Sequence, residues 1–504
     1  MNGFIAPAIG DQFDVLLPFL VVAGGGLLVM LVDALVRTRR KDHLSFLTLA
    51  VLLLSILAQL RGGFGGEREA LAGMLLVGDF SRFFNFLFVG CAVLTTVFAG
   101  SAFERSSRQR PEFFPLLLFA VLGMMVLAAA SDLLTIFLGI ETMSLSIYVL
   151  AGGVRGDARS SEAGFKYLLL GGFASAFLLM GMALLYGFAG GTAFDDIARA
   201  LGTAGGERGL AMLGAGLMLV GFGFKVAMVP FHMWTPDVYD GAPSYVTGFM
   251  ATAVKAAGFA ILARFACLMQ PHLAFAWYPV LTGLAVVTMS VGNLVALAQN
   301  SIKRVLAWSS IAHAGYLLLG VVTLISPAHG NSGQMMLGRE VGESAGSALL
   351  FYLLGYCLMN LAAFGVIGAL SRGGQEADEI ERYAGLSRRR PLAAAVLAVA
   401  MLSLAGIPPM VGFMSKFYLF SAVVRAGLVP LAIIGVINSL VSVYYYLRVI
   451  VVMYMKQPDE GSYDAADGVA VGAAAVLAGL VLLLGVMPEG VHRAAQEIFR
   501  QITF

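Results

Sequence analysis

Lysine is scarce in this 504-residue chain: seven residues, against 25 arginines. Charge of either sign is also scarce, at 12% of residues where a soluble domain carries about 25%. The net charge of +2 implies no acidic partner, and no basic block is interleaved with aromatics, which argues against nucleic acid. Cysteine is limited to Cys91, Cys267 and Cys357, all in apolar surroundings. Their odd number and the absence of CxxC argue against a disulfide framework or a metal site, and burial as small hydrophobes accounts for them. The six histidines show no metal spacing, and HExxH is missing. The GFGFK run at 221–225 lacks the Walker pattern and its strand, so it is no phosphate loop. The N-terminus has neither a basic n-region nor a clear cleavage site, so residues 15–36 read as a retained helix. No linker is long enough to hold a soluble domain.

Apolar sequence fills the rest. The chain is 59% hydrophobic with mean hydropathy +0.87. Apolar runs of 18 residues or more recur from end to end, each long enough to cross a hydrocarbon core of about 30 Å. This is an all-α polytopic membrane protein in contact with the lipid bilayer. Its 61 glycines suit close helix packing in lipid. Fourteen spans are expected, near 14–36, 44–60, 78–101, 112–129, 131–151, 161–189, 209–238, 243–267, 275–297, 302–324, 344–370, 391–425, 428–455 and 467–487. Loops after odd-numbered spans hold 17 lysines and arginines and the opposite loops nine. The positive-inside rule then puts both termini outside the cytoplasm. The acidic cluster of Glu376, Asp378, Glu379 and Glu381 reads as a solvated loop.

The lysines are not where the arginines are. Lys166, Lys225, Lys255 and Lys416 lie inside apolar stretches, whereas most arginines lie between them. Lysine has a flexible stem and a pKa that burial lowers readily, while arginine stays charged. Glu141 sits midway along the fifth span, so five ionisable groups are expected at membrane depth. Each costs about 2.5–3.5 kcal/mol at a helix centre. The bland reading is helix-joining ion pairs, but four cations cannot all pair with one carboxylate. Lys166 lies near the end of its span and could snorkel to the surface, as could Arg264. His313 and His232 lie on apolar faces, where histidines are more often simply hydrogen-bonded in place.

Two spans carry internal breakers: Pro230 after Lys225, and Pro408-Pro409 before Lys416. Proline removes the hydrogen bond to the carbonyl four residues back, freeing Val226 in one case and Leu404 and Ala405 in the other. Freed carbonyls at membrane depth persist only where protein or water covers them. The broken spans are five apart and enter from opposite sides, which suggests an inverted repeat.

At this point a family resemblance appears. VPFHMWTPDVYDGAPSYVTGFMATAVKAAG resembles the signature of the antiporter-like membrane subunits of respiratory complex I, the NADH–quinone oxidoreductase, which are similar to subunits of multi-subunit sodium/proton antiporters. WTPDVY followed by GAP is similar to the subunit N branch. EAGFKYLLLGGFASAFLLMG, SIKRVLAWSSIAHAGYLLLG and AGIPPMVGFMSKFYLF resemble it too, over roughly residues 75–455. The resemblance implies spans 1–3 over residues 1–110, two inverted five-helix repeats over 111–270 and 271–457, and a last span with a tail over 458–504. It implies proton translocation by Glu141, Lys225, Lys255 and Lys416, with Glu141 ion-paired to Lys225. Lys166, His313 and His232 are secondary candidates. It further implies no cofactor in this chain, FMN, iron–sulfur clusters and quinone in other subunits, and partners among the membrane subunits, subunit M included. The location would be a bacterial inner membrane. A sodium/proton antiporter or related hydrogenase subunit is the alternative, and a non-pumping structural spacer a third reading.

Overall fold

The computed structural model describes residues 9–36, 41–62, 65–105, 110–204, 208–326, 335–372, 375–376, 378–458 and 465–500. Arg37, Arg39, Arg40 and Arg108, counted in the loop charge, lie outside these residues. Among the described residues, eleven helices are long and apolar enough to cross a membrane. The shorter apolar helices Phe113–Ala129 and Pro391–Ala405 add to them. Polar side chains start several helices: Asp132 accepts from Leu134 N at 2.7 Å, Asp157 from Arg159 N at 2.9 Å and Asp467 from Ala470 N at 2.9 Å. Each satisfies a backbone donor that the helix itself cannot.

Residues 244–296 form one unbroken helical run, through the loop expected between the spans at 243–267 and 275–297. A straight helix of 53 residues would be about 80 Å long, far beyond the membrane's thickness. The rings of Phe265 and Trp277 are 5.7 Å apart, whereas twelve residues of straight helix separate two positions by about 18 Å. The chain therefore doubles back between them, around Pro271. Proline permits this by removing a hydrogen bond and crowding the preceding turn.

Both proline-containing spans stop and restart. Helix Gly209–Val226 gives way to Trp234–Gly241, and Pro391–Ala405 to Val411–Arg425. A left-handed residue ends the first segment in each case, Ala227 at φ 61° and Gly406 at φ 87°. Met228 N donates to Gly223 O at 2.8 Å, and Ile407 N to Leu402 O at 3.1 Å. These are the six-to-one bonds of Schellman caps. A cis-proline, Pro230 or Pro409, follows three residues after the left-handed position.

Of the acidic cluster, Glu379 and Glu381 are exposed as a solvated loop would have them, but Asp378 is largely covered. Asp378 accepts from Arg159 at 2.9 Å, its backbone carbonyl accepts from Ile302 N at 2.7 Å, and Glu381 pairs with Lys456 at 2.6 Å. Lys303, counted as a loop cation, is buried and donates to Ala242 O at 2.7 Å. Carboxylates and cations from distant parts of the chain meet here, which sequence separation concealed.

The amphipathic helix Glu489–Arg500 packs back onto the bundle. His492 stacks on Tyr418 with ring centroids 3.9 Å apart, Phe499 is buried, and Arg500 pairs with Glu343 at 3.0 Å. Partial burial, with Arg425 nearby, holds His492 below its ordinary pKa. A histidine depressed in the folded state contributes stability that is lost as pH falls through its folded pKa, below about 6.5. Amide protection across 489–500, measured relative to intrinsic exchange at each pH, should therefore fall between pH 7.5 and pH 5, and His492→Phe should abolish that fall. An identical fall in protection in the variant would show that His492 is not the group responsible.

Candidate functional site

Lys225 occupies the last turn before the first break and is 4% exposed. Its ammonium donates to Ser144 Oγ at 2.6 Å and to Tyr148 OH at 3.4 Å. The rings of Tyr148, Phe224 and Tyr167 lie 5.4, 5.4 and 5.9 Å from it. Aromatic faces attract a cation within about 6 Å, so the lysine sits in a ring-lined pocket with two hydroxyls. Gly171 makes room for one of them, since a Cβ there would stand 1.9 Å from the Tyr148 hydroxyl. Trp234 closes the pocket by stacking on Tyr167 at 4.3 Å and donating to Phe224 O at 3.1 Å.

The expected ion pair between Glu141 and Lys225 is not formed. Glu141 is half-buried and accepts from Ser175 Oγ, while the lysine takes Ser144, one turn further along the helix of Glu141. A hydroxyl one turn away reaches into the aromatic pocket, and the carboxylate faces the neighbouring helix instead.

Lys255 follows a π-helical turn at Met250–Val254 and is 1% exposed. Such turns are rare and often mark functional positions. Its ammonium donates to Ser310 O at 2.6 Å, and the hydroxyl of the same Ser310 accepts from Tyr356 at 2.9 Å. The Tyr356 ring lies 5.1 Å from His313. His313 bonds Tyr352 through Nδ1 at 2.9 Å and Tyr446 through Nε2 at 3.2 Å. Tyr445, packed on Tyr446 at 4.5 Å, donates to Asn293 Oδ1 at 3.0 Å. Asn293 donates in turn to Tyr316 at 2.9 Å and Asn438 at 3.3 Å.

That chain of polar groups ends beside Lys416, whose ammonium lies 5.4 Å from the Tyr316 ring. Lys416 donates to Leu404 O at 3.1 Å, Ala405 O at 3.0 Å and Ser439 Oγ at 2.8 Å. Leu404 and Ala405 are the carbonyls freed by the proline pair. Gly406 lets the lysine approach, because its left-handed backbone suits glycine and a Cβ there would press on Nζ at 3.2 Å.

Lys166 stands apart from this row. It pairs with Glu162 and Asp237, both at 2.7 Å, and Asp237 also pairs with Arg304 at 3.1 Å. His232 is buried against Trp308 at 5.4 Å, and its Nδ1 has no partner among the described residues. Arg264 is buried rather than snorkelling: it donates to Ala128 O at 3.1 Å with the Phe80 ring 5.9 Å away. The sequence reading missed Ser144, Tyr148, Ser310, Tyr352, Tyr356, Tyr446, Asn293 and Asn438. Buried amides such as Asn293 within apolar spans were the one signal available, since tyrosine and serine are unremarkable there. No group of three or more potential metal ligands occurs among the described residues.

Broken apolar helices around enclosed lysines define an antiporter-like membrane protein. Residues 130–442 match the family described as NADH:quinone oxidoreductase/Mrp antiporter, transmembrane, and the chain belongs to it. It is 42% identical over 494 residues to the NADH-quinone oxidoreductase subunit N of Trichlorobacter lovleyi, covering 97% of this chain and 98% of that one. The subunit N of Myxococcus xanthus is 40% identical over 516 residues, covering 98% and 99%. A chain of respiratory complex I from Thermus thermophilus, solved with aureothin, superposes with a TM-score of 0.78 at 35% identity, covering 94% and 98%. A chain of the Mrp complex from a Dietzia species reaches a TM-score of 0.82 at 21% identity, over 97% of each chain, a likeness of fold.

The capping of the second break yields a stability prediction. Lys416→Met leaves two buried carbonyls without a donor, at about 1–3 kcal/mol each, and should lower the thermal midpoint of the purified protein. Lys416→Gln keeps an N–H donor and should retain part of that stability. An unchanged midpoint in Lys416→Met would refute the capping role.

Proposed function

We propose that this chain is the proton-translocating membrane subunit of a bacterial NADH–quinone oxidoreductase, working with electron-transfer subunits that hold the flavin, iron–sulfur and quinone sites. The observation that carries this reading is the enclosed row of Lys225, Lys255 and Lys416, with hydroxyls, a histidine and amides filling the space between the last two. The near full-length likeness to the subunit N proteins selects this complex over an antiporter or hydrogenase.

The broken helices with matching caps support two inverted repeats of five helices, at 111–270 and 271–457, within fourteen spans. The loop charge supports termini on the periplasmic side of the inner membrane. Partners are supported by Glu141. A carboxylate near mid-membrane that is only half-buried in its own chain is too costly to leave facing lipid. A neighbouring membrane subunit, such as subunit M or one of the small ones, covers it.

In this reading Glu141 acts on Lys225 across Ser144 rather than by direct pairing. A nearby carboxylate favours the ammonium form, and neutralising or withdrawing it favours release. The proton then crosses water to Lys255. It continues by Ser310, Tyr356 and His313 to Lys416, which exchanges with one side. The energies match: one pKa unit is about 1.4 kcal/mol, and moving a charge against 100 mV takes about 2.3 kcal/mol.

Lys225→Ala should assemble but lose most proton pumping, and quinone reduction with it where the two are tightly coupled. Lys225→Arg should fail as well, because arginine does not release its proton. Lys166→Ala, outside the row, should be milder. Proton uptake and NADH oxidation in membranes, with assembly checked on native gels, provide the test. Full pumping by an assembled Lys225→Ala complex would sink the proposal. Purified alone, the chain should show no NADH or quinone oxidoreductase activity, and measurable activity would contradict the assignment of redox chemistry to other subunits.

A further inference from the structure

A cavity of about 690 Å³ lies away from the lysine row. Its walls are one face each of helices Asp79–Arg105, Met335–Ala369 and Gly468–Val486, and Glu489–Arg500 borders it. Along the first helix the lining positions include Phe83, Leu87, Gly90 and Leu94, an apolar stripe at helical spacing. None of the proton-row residues lines it.

Shape and chemistry name the occupant. From Asp79 to Leu94 the wall runs about 22 Å, at 1.5 Å per residue. That exceeds half of a hydrocarbon core of about 30 Å, so one leaflet's acyl chain fits along it. The volume lies within the range of about 300–1,000 Å³ common for ligand sites. Polarity is confined to the end formed by Asp79, Gly65 and Glu497. Asp79 is occupied, bonding Arg82 at 3.2 Å and Gly65 N at 3.2 Å. Glu497 is exposed and has no partner among the described residues. A free carboxylate at the mouth of an apolar groove repels an anionic headgroup and attracts an ammonium.

We propose that this cavity holds an acyl chain of an ethanolamine phospholipid whose headgroup ammonium sits on Glu497. The site is independent of the proton row, so failure of either reading leaves the other standing. Cys91 and Cys357 line the cavity and touch each other, which provides an internal probe. Gly90 provides a plug: a Cβ there meets nothing within 4 Å, so a leucine side chain starts into open space at the cavity wall.

The test uses the full chain with the subunits that accompany it from the membrane. The protein is exchanged into nanodiscs of equal phosphatidylethanolamine and phosphatidylglycerol, then into detergent, and retained lipid is counted by native mass spectrometry. Wild type should keep one more ethanolamine lipid per chain than Gly90→Leu. Glu497→Gln should keep a lipid with its ethanolamine preference reduced about threefold, the size of an exposed charge pair. Maleimide labelling of Cys91 and Cys357 should be slower in ethanolamine-lipid nanodiscs than after delipidation, a readout that stands even if Gly90→Leu misfolds. Four results would each overturn the proposal: equal lipid in wild type and an assembled Gly90→Leu; phosphatidylglycerol held as well as phosphatidylethanolamine; a quinone in the cavity; or a neighbouring subunit cross-linked into it.

Discussion

Three ammonium groups enclosed by an apolar bundle impose the central constraint. An unpaired buried charge costs several kcal/mol, and the carbonyls of an intact helix already accept one hydrogen bond each. Each lysine finds a different remedy. Lys416 takes two carbonyls exposed where its own span breaks. Lys255 takes a backbone carbonyl of the facing helix, Ser310. Lys225 takes hydroxyls and ring faces. Hydrogen bonds to a charged group contribute about 1.5–3 kcal/mol each, enough to offset much of the burial cost without fixing the proton permanently. The broken helix at 406–410 is thus part of the solvation shell of a cation.

The two breaks are alike in backbone and opposite in charge. In each, a left-handed residue precedes a cis-proline by three positions. Seven residues after that proline stands Asp237 in the first and Lys416 in the second. Lys416 turns inward to its break, whereas Asp237 turns to Lys166 and Arg304. The first break, relieved of a lysine on its far side, carries Lys225 on its near side. The two breaks thus keep one backbone device while the charges around it are exchanged, a likeness that residue-by-residue comparison of the two stretches does not reveal.

Much of this was legible in sequence, for definite reasons. Apolar runs name the membrane helices because nothing else survives in lipid. The prolines name the breaks because the loss of an N–H is a local fact: helices stop at Val226 and Ala405. Lysines amid apolar residues stand out because their cost is large. What was not legible depends on approach between distant segments. Ser144 rather than Glu141 bonds Lys225 because of the helix's rotation, which hydropathy does not encode. The pairing of Asp378 with Arg159 spans 219 positions. The turn near Pro271 was expected as a loop, yet proline bends the chain there with its helical backbone retained. His313 looked like an ordinary buried histidine until Tyr352 and Tyr446 came to its two nitrogens.

The continuity of the polar network is uneven, and the unevenness has a physical meaning. From Lys255 onward hydroxyl, imidazole and amide groups follow one another at hydrogen-bond or ring-contact distance. Between Lys225 and Lys255 the contacts are mostly aromatic: Tyr167 stacks on Trp234, the Trp234 ring lies 6.0 Å from Tyr239, and Tyr239 meets Ser310, while Gly258 brings the second helix against the first, where a Cβ would stand 3.0 Å from Val226. Rings hand on no proton, so in the proposed row the step from Lys225 to Lys255 depends on water more than the steps beyond it. Small movement of the segment around Ala227, a strained left-handed residue without glycine's freedom, would alter these contacts. On the proposed function, a shift of this helix end changes both the partners of Lys225 and the route beyond it, which makes it the place where control is cheapest.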